Sequence, residues 1–153
     1  MASNRHLGRI VALQTLYEYE FRAGEDASDV AVKEILERNI SRYESAIDDK
    51  QFVIELVQEV IAASSKLDEQ LQPIAPGWPI DQIARIDRNV LRLGLYELLH
   101  RGDSVPPKVV INEAVELAKA FGSDNSSKFI NGVLGTALRT LVEGAVDAEV
   151  TKL

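Results

Sequence analysis

Apolar positions recur at steps of three and four along most of the chain, the period of a helix with one face turned inward. Six such stretches can be read, and no strand. The first runs from about Arg5 to Arg22 on Leu7, Ile10, Val11, Leu13, Leu16, Tyr17 and Phe21, with Gly24 as its stop signal. The second, capped by Ser28 or Asp29, carries Val32, Ile35, Leu36, Ile40 and Tyr43. The third, from about Asp48 to Leu71, repeats Val53, Leu56, Val57, Val60, Ile61, Leu67 and Leu71. The fourth spans Ile80 to His100 and ends before Gly102 and Pro106-Pro107. The fifth runs from Val109 to Phe121 and stops at Gly122. The sixth starts at Ser126 or Ser127, behind the cap-rich Asp124-Asn125, and continues through Leu141.

Between the third and fourth stretches lies Gln72-Pro73-Ile74-Ala75-Pro76-Gly77-Trp78-Pro79. Three prolines there remove backbone donors and fix φ, so no helix passes through. The pattern predicts an all-α fold, one domain over residues 1–153 made of two three-helix subdomains. These cover about 1–75 and 76–145, followed by a tail at 146–153. No repeat, heptad array or low-complexity tract interrupts the pattern.

Composition narrows the chemistry. The absence of cysteine removes disulfides, thiolate metal sites and a cysteine nucleophile. His6 and His100 are the two histidines and lie far apart in sequence, so no metal or cofactor site is expected. No apolar run reaches the roughly 20 residues that span a bilayer, and residues 1–9 do not read as a signal peptide, so a cytoplasmic protein with no membrane partner is expected. There is no phosphate-binding glycine loop and no zinc-protease motif, and adjacent acids such as Asp48-Asp49 and Asp68-Glu69 diverge on a helix and read as solvated faces. An enzyme is not expected. The net charge of −7 argues against broad nucleic-acid binding, yet residues 1–16 carry Arg5, His6 and Arg9 with no acid before Glu18.

Four features merit separate reading. Arg5 and Arg9, four residues apart, share a helix face with His6 beside them, either as a phosphate or base grip or as two exposed arginines at a helix start. Arg85, Arg88 and Arg92 form a stripe that reads as an exposed basic ridge or as structural ion pairs. Asn125, Lys128 and Phe129 open a helix whose free N–H groups, with a lysine and an aromatic ring, suit a phosphate and a base; a cap in front of a core phenylalanine is the alternative. Tyr17 and Phe21, one turn apart, read as core or as a docking patch, with core favoured by the pattern. Gly132 and Gly135 are expected to permit close helix packing.

The residues also carry a family resemblance. Arg88-Asn89-Val90-Leu91-Arg92-Leu93-Gly94-Leu95-Tyr96-Glu97-Leu98 resembles the NusB-family helix R-x-x-L-R-x-x-x-Y-E-L. Val105-Pro106-Pro107-Lys108-Val109-Val110-Ile111-Asn112-Glu113-Ala114-Val115-Glu116-Leu117-Ala118-Lys119 is similar to P-x-x-V-x-I-N-E-A-V-E-L-A-K, its proline falling on Pro106. Phe121-Gly122 and Lys128-Phe129-Ile130-Asn131-Gly132-Val133-Leu134 are similar to F-G and K-F-V-N-G-V-L, and Arg9 through Ala12-Leu13-Gln14-Thr15-Leu16-Tyr17 resembles R-x-x-A-L-Q-x-L-Y.

The resemblance implies a non-enzymatic transcription antitermination factor. In the family, NusB pairs with NusE, a small-subunit ribosomal protein, and the pair binds the boxA element of ribosomal RNA leader transcripts within an RNA polymerase antitermination complex. Carried over residue by residue, RNA contacts fall on Arg5, His6, Arg9, Asn125, Lys128 and Phe129, and the NusE-facing surface includes Tyr17, Phe21 and Asp87. Some members self-associate, so a homodimer stands among the expected partners. The chain departs from the family in two places: Leu7 and Gly8 separate its N-terminal charges, and the loop around Ile74 is apolar where some members carry an aromatic near the RNA. Two other readings stay open, a protein–protein adaptor without RNA binding and a fragment of a ribosomal RNA cytosine methyltransferase.

Overall fold

The computed structural model describes residues 2–23, 29–43 and 45–144. Gly24, Ser28 and the tail at 146–153 lie outside the described residues. Among those described there are six α-helices and no strand: α1 Ala2–Ala23, α2 Asp29–Arg42, α3 Lys50–Leu71, α4 Arg85–His100, α5 Pro107–Phe121 and α6 Ser126–Ala137. Short 3-10 turns occupy Gln72–Ile74 and Ile80–Gln82, and a π-helical segment, Leu138–Glu143, follows α6. The chain divides into two compact units, residues 1–62 and residues 63–153, and the division falls within α3 rather than at the proline-rich bend.

In the first unit α1 and α2 contact each other. Val11, Ala12, Leu13, Leu16, Ile35, Leu36, Val53, Leu56 and Val57 are buried, which is the apolar stripe read from the sequence. One polar link crosses it. Thr15 Oγ1 donates to Val11 O at 2.8 Å and accepts from Asn39 Nδ2 at 3.1 Å, and both side chains are buried. A buried donor left without an acceptor is costly, so this pair fixes how the two helices face one another. Asp49 is exposed, as expected of a solvated acid, and it also caps α3, its Oδ1 accepting from Phe52 N at 3.0 Å.

In the second unit α4, α5 and α6 contact one another, and the Gln72–Ile74 turn touches α6. Val90, Leu91, Leu95, Val110, Ala114, Leu117, Ile130, Val133 and Leu134 are buried. The glycines that read as helix-packing residues do not serve that purpose. A Cβ on Gly132 would meet nothing within 4 Å, whereas one on Gly94 of α4 would stand 2.7 Å from Leu134 Cδ1 of α6, so the close approach is at Gly94.

Two further expectations change. The fourth helix starts at Arg85 instead of Ile80 because Ile83 and Ala84 are extended (ψ 137° and 138°). The carbonyls this frees are partnered by Arg88, whose Nη1 accepts nothing and donates to Ile80 O at 3.0 Å and Ile83 O at 3.3 Å. Of the two readings of the arginine stripe, the structural one holds at Arg88. Arg92 completes it with a two-pronged pair to Asp68, Nε to Oδ1 at 2.8 Å and Nη2 to Oδ2 at 2.7 Å, the strong planar form of the ion pair. The fifth helix begins two residues before Val109, with Pro107 in its first turn where a missing N–H costs nothing.

Candidate nucleic-acid interface

The candidate residues fall on both units. In the first, Arg5, His6 and Arg9 lie on α1. The Arg5 guanidinium stands over the Phe52 ring at 4.1 Å from its centroid, and Arg9 lies over the same ring at 5.5 Å. Phe52 is held there by the Asp49 cap, and Arg5 Nη2 is 3.9 Å from Asp49 Oδ2. The two arginines differ in access. The Arg5 side chain is 42% exposed, while Arg9 is only 3% exposed. Arg9 thus departs from the picture of two exposed arginines: it is buried, with the Phe52 ring beside it. His6 is half-buried.

Tyr17 and Phe21 are exposed, Phe21 at 62%, so the pattern-based preference for core fails at both. Leu13 and Leu16 already fill the inward face of α1, and the later turn presents its aromatics outward. Glu18, between them, takes ion pairs from Arg38 and from Arg22, the latter at 3.7 Å.

In the second unit Asn125, Lys128 and Phe129 open α6, as the cap-rich sequence predicts. The capping itself is arranged differently from that prediction. Asn125 makes no side-chain cap, and instead Ser126 reaches back: its Oγ accepts from Ser123 N at 2.9 Å. This turn depends on Gly122, where a Cβ would stand 2.5 Å from Ser126 Oγ and 2.8 Å from Ala118 O. The phenylalanine–glycine pair at 121–122 thus has a steric reason. The consequence for the site is that the Asn125 side chain is left exposed, beside exposed Lys128 and half-buried Phe129.

A second element reaches the same place. Gln72 holds the proline-rich loop from within, its Nε2 donating to Trp78 O at 3.0 Å and its Oε1 accepting from Ile80 N at 3.1 Å. Trp78, at the end of a turn through Gly77 (φ +86°), meets Phe129 edge-on with ring centroids 6.1 Å apart. The loop that looked merely apolar around Ile74 therefore does deliver an aromatic, four residues later.

Trp78, Gln82, Asp87, Ser123, Asn125 and Phe129 line one cavity of about 400 Å³. Asp87 is 9% exposed, and its Oδ1 accepts no hydrogen bond. Residues read as RNA-contacting (Asn125, Phe129) and as partner-facing (Asp87) thus share a cavity. Trp78 and Gln82 were not singled out as site residues by the sequence reading. A lone tryptophan among prolines was the one signal available, since a ring in a helix-free loop has no helical face to bury it. Among the described residues no group of acids and histidines is placed to hold a metal, and no helix is long and apolar enough to cross a membrane.

Residues 6–139 match the NusB family. A transcription antitermination protein NusB from Chloroflexus aggregans is 44% identical over 151 residues, covering 97% of each chain. One from Dehalococcoides mccartyi strain CBDB1 is 42% identical over 149 residues, covering 97% of this chain and 99% of its own. Among solved structures, NusB from T. maritima superposes with a TM-score of 0.75 at 31% identity, covering 88% of this chain and 90% of that one. A crystal structure of the antitermination factors NusB and NusE in complex with double-stranded RNA gives 0.73 at 28% identity, covering 92% and 99%. The names of these relatives describe NusB antitermination factors. With a family match over most of its length, and relatives above 40% identity along nearly all of it, the chain belongs to the NusB family.

Proposed function

We propose that the protein is an RNA-binding adaptor of transcription antitermination, which pairs with NusE and binds the boxA element of ribosomal RNA leader transcripts so that RNA polymerase reads through terminators. The observation that carries this reading is the start of α6, where Asn125 and Lys128 are exposed and Phe129 lines a cavity with Trp78. A helix N-terminus with an adjacent lysine and two accessible rings suits a single-stranded phosphate and base. Arg5, exposed over Phe52, supplies a second cationic contact, with His6 beside it and Arg9 behind. Tyr17 and Phe21 give an exposed aromatic patch for NusE. Support comes also from the related NusB structure that contains NusE and RNA.

With a net charge of −7 and Arg9 enclosed, few cations face solvent at α1, so affinity for RNA depends on NusE for part of the contact surface. The same observation favours the second reading, an adaptor for proteins alone. Hydrogen exchange of the full chain with NusE, with and without boxA RNA, separates the two. The RNA-binding reading expects RNA-dependent protection over residues 5–9 and 125–129. Protection by NusE with none added by RNA supports the protein-only adaptor.

A further inference from the structure

The surroundings of Arg5 decide which part of an RNA it can meet. The Phe52 ring covers one side of its guanidinium, with Cζ 4.1 Å from the ring centroid, and the ring itself is buried. Two features of the sequence build this seat. Asp49 caps α3 by accepting from Phe52 N at 3.0 Å, which fixes where the ring leaves the helix. Gly8, between Arg5 and Arg9 on α1, leaves the gap that the ring fills: a Cβ there would stand 3.3 Å from Phe52 Cδ1 and 3.4 Å from Cε1. The ring therefore packs against two arginines one helical turn apart. Arg9 is buried, 5.5 Å from the centroid, and Arg5 reaches solvent.

One edge of Arg5 is engaged as well, since Asp49 Oδ2 lies 3.9 Å from Nη2. An exposed pair of that length contributes little to stability, but it sets a negative charge beside the cation. A phosphate arriving at Arg5 would meet Asp49 too and be repelled by it. A base carries no such charge.

We propose, on the RNA-binding reading above, that Arg5 holds RNA by stacking: an unpaired base lies on the outer side of its guanidinium, and Phe52 backs it on the inner side. Guanidinium planes stack on bases as they do on aromatic rings, so the cation is held between two π surfaces. Phe52, being buried, is a positioning residue that acts on RNA through Arg5. Every base has a π face, so this contact adds affinity without choosing a base. It also adds an RNA contact without a phosphate, in keeping with a chain of net charge −7.

The test uses the full chain with NusE and labelled single-stranded boxA RNA in which one nucleotide at a time is made abasic. An abasic nucleotide keeps its phosphate and loses its base. At one position the change is expected to weaken binding on the order of tenfold, the scale of one stacked base, and to cost the Arg5→Ala protein nothing further. Arg5→Lys keeps the charge and lacks the plane, so it should bind about as weakly as Arg5→Ala. Neither should flatten the dependence of affinity on salt. Both variants leave the core alone, because the side chain they change is 42% exposed. Phe52→Leu should weaken RNA binding when Arg5 is present and not in the Arg5→Ala background, a dependence that a general loss of folding would not show.

An Arg5→Lys protein that binds like the wild type, with Arg5→Ala reducing the salt slope by about 0.7, overturns the proposal in favour of a phosphate contact. An abasic scan in which no position depends on Arg5 overturns it too. RNA binding unchanged in Arg5→Ala removes Arg5 from the interface and the proposal with it, while the adaptor reading stands. Failure of unmodified boxA RNA to bind the wild-type chain with NusE removes that reading as well.

Discussion

Arg9 distinguishes a surface contact from a structural one. On the sequence it stands with Arg5 as an exposed cation of α1, and truncating it would leave folding nearly unchanged. In the structure it is 3% exposed and lies over the Phe52 ring. Arg9→Ala removes two methylene groups of buried stem, worth about 1.5 kcal/mol, and a desolvated cation–ring contact worth about 0.5–2 kcal/mol. The expected loss is about 2–4 kcal/mol, which in a chain of this size lowers the melting temperature by about 5–15 °C. Arg9→Met, which keeps the stem and drops the charge, should recover roughly half. Arg5→Ala is the control, since its side chain is 42% exposed and its pair with Asp49 is long at 3.9 Å; it should change stability by no more than about 0.5 kcal/mol. Circular dichroism melts with urea titrations on the three variants check this. If Arg9→Ala melts with the wild type while Arg5→Ala falls, the assignment of structural and surface roles is reversed and the reasoning fails.

The remaining expectations concern the interface and its scaffold. Arg5→Ala should weaken boxA binding in the presence of NusE by about 1–2 kcal/mol, the scale of a charged hydrogen bond, read by fluorescence anisotropy. Phe129→Ala should weaken it by about 1–3 kcal/mol through lost stacking, with the circular dichroism spectrum retained as the check on folding. Arg92→Ala should cost about 1–3 kcal/mol in urea unfolding, because it strips a partly buried Asp68 of its two-pronged partner; Asp68→Asn should cost less. Gly94→Ala should destabilise by about 1–2 kcal/mol, the overpacking against Leu134 being offset in part by the better helix propensity of alanine. Leu134→Val in the same chain should recover part of that loss, and strict additivity of the two changes in a double-mutant cycle would contradict the steric account.

The helices were legible because each buries one stripe, and that stripe repeats at a period the sequence displays. Val53, Leu56, Val57 and Val60 are all buried as the pattern demands. What the pattern misplaces are side chains whose role is set by a partner distant in sequence. Arg88 and Arg92 read either as a basic ridge or as structural pairs, and only Ile80 O, Ile83 O and Asp68 decide between the two. Gly94 gives no hint of its task without Leu134 forty residues later. Tyr17 and Phe21 fit an apolar period yet face outward, since periodicity tells which residues share a face but not where the core ends. At the candidate interface, Asn125, Lys128 and Phe129 were read from the polar run ahead of an apolar helix. Trp78 was passed over because a break in helical pattern reads as a hinge, with no means of showing that Gln72 folds the loop so that its ring meets Phe129.

The account's central claim is that this chain and NusE together form an RNA-binding surface. Its most direct test is the anisotropy of labelled boxA RNA titrated with the chain alone and with the chain plus NusE, each at low and at physiological salt. The account predicts weak binding by the chain alone, marked strengthening by NusE, a shallow salt dependence reflecting few phosphate contacts, and no binding of a scrambled RNA. Firm association with NusE accompanied by no RNA binding at either salt concentration would contradict it.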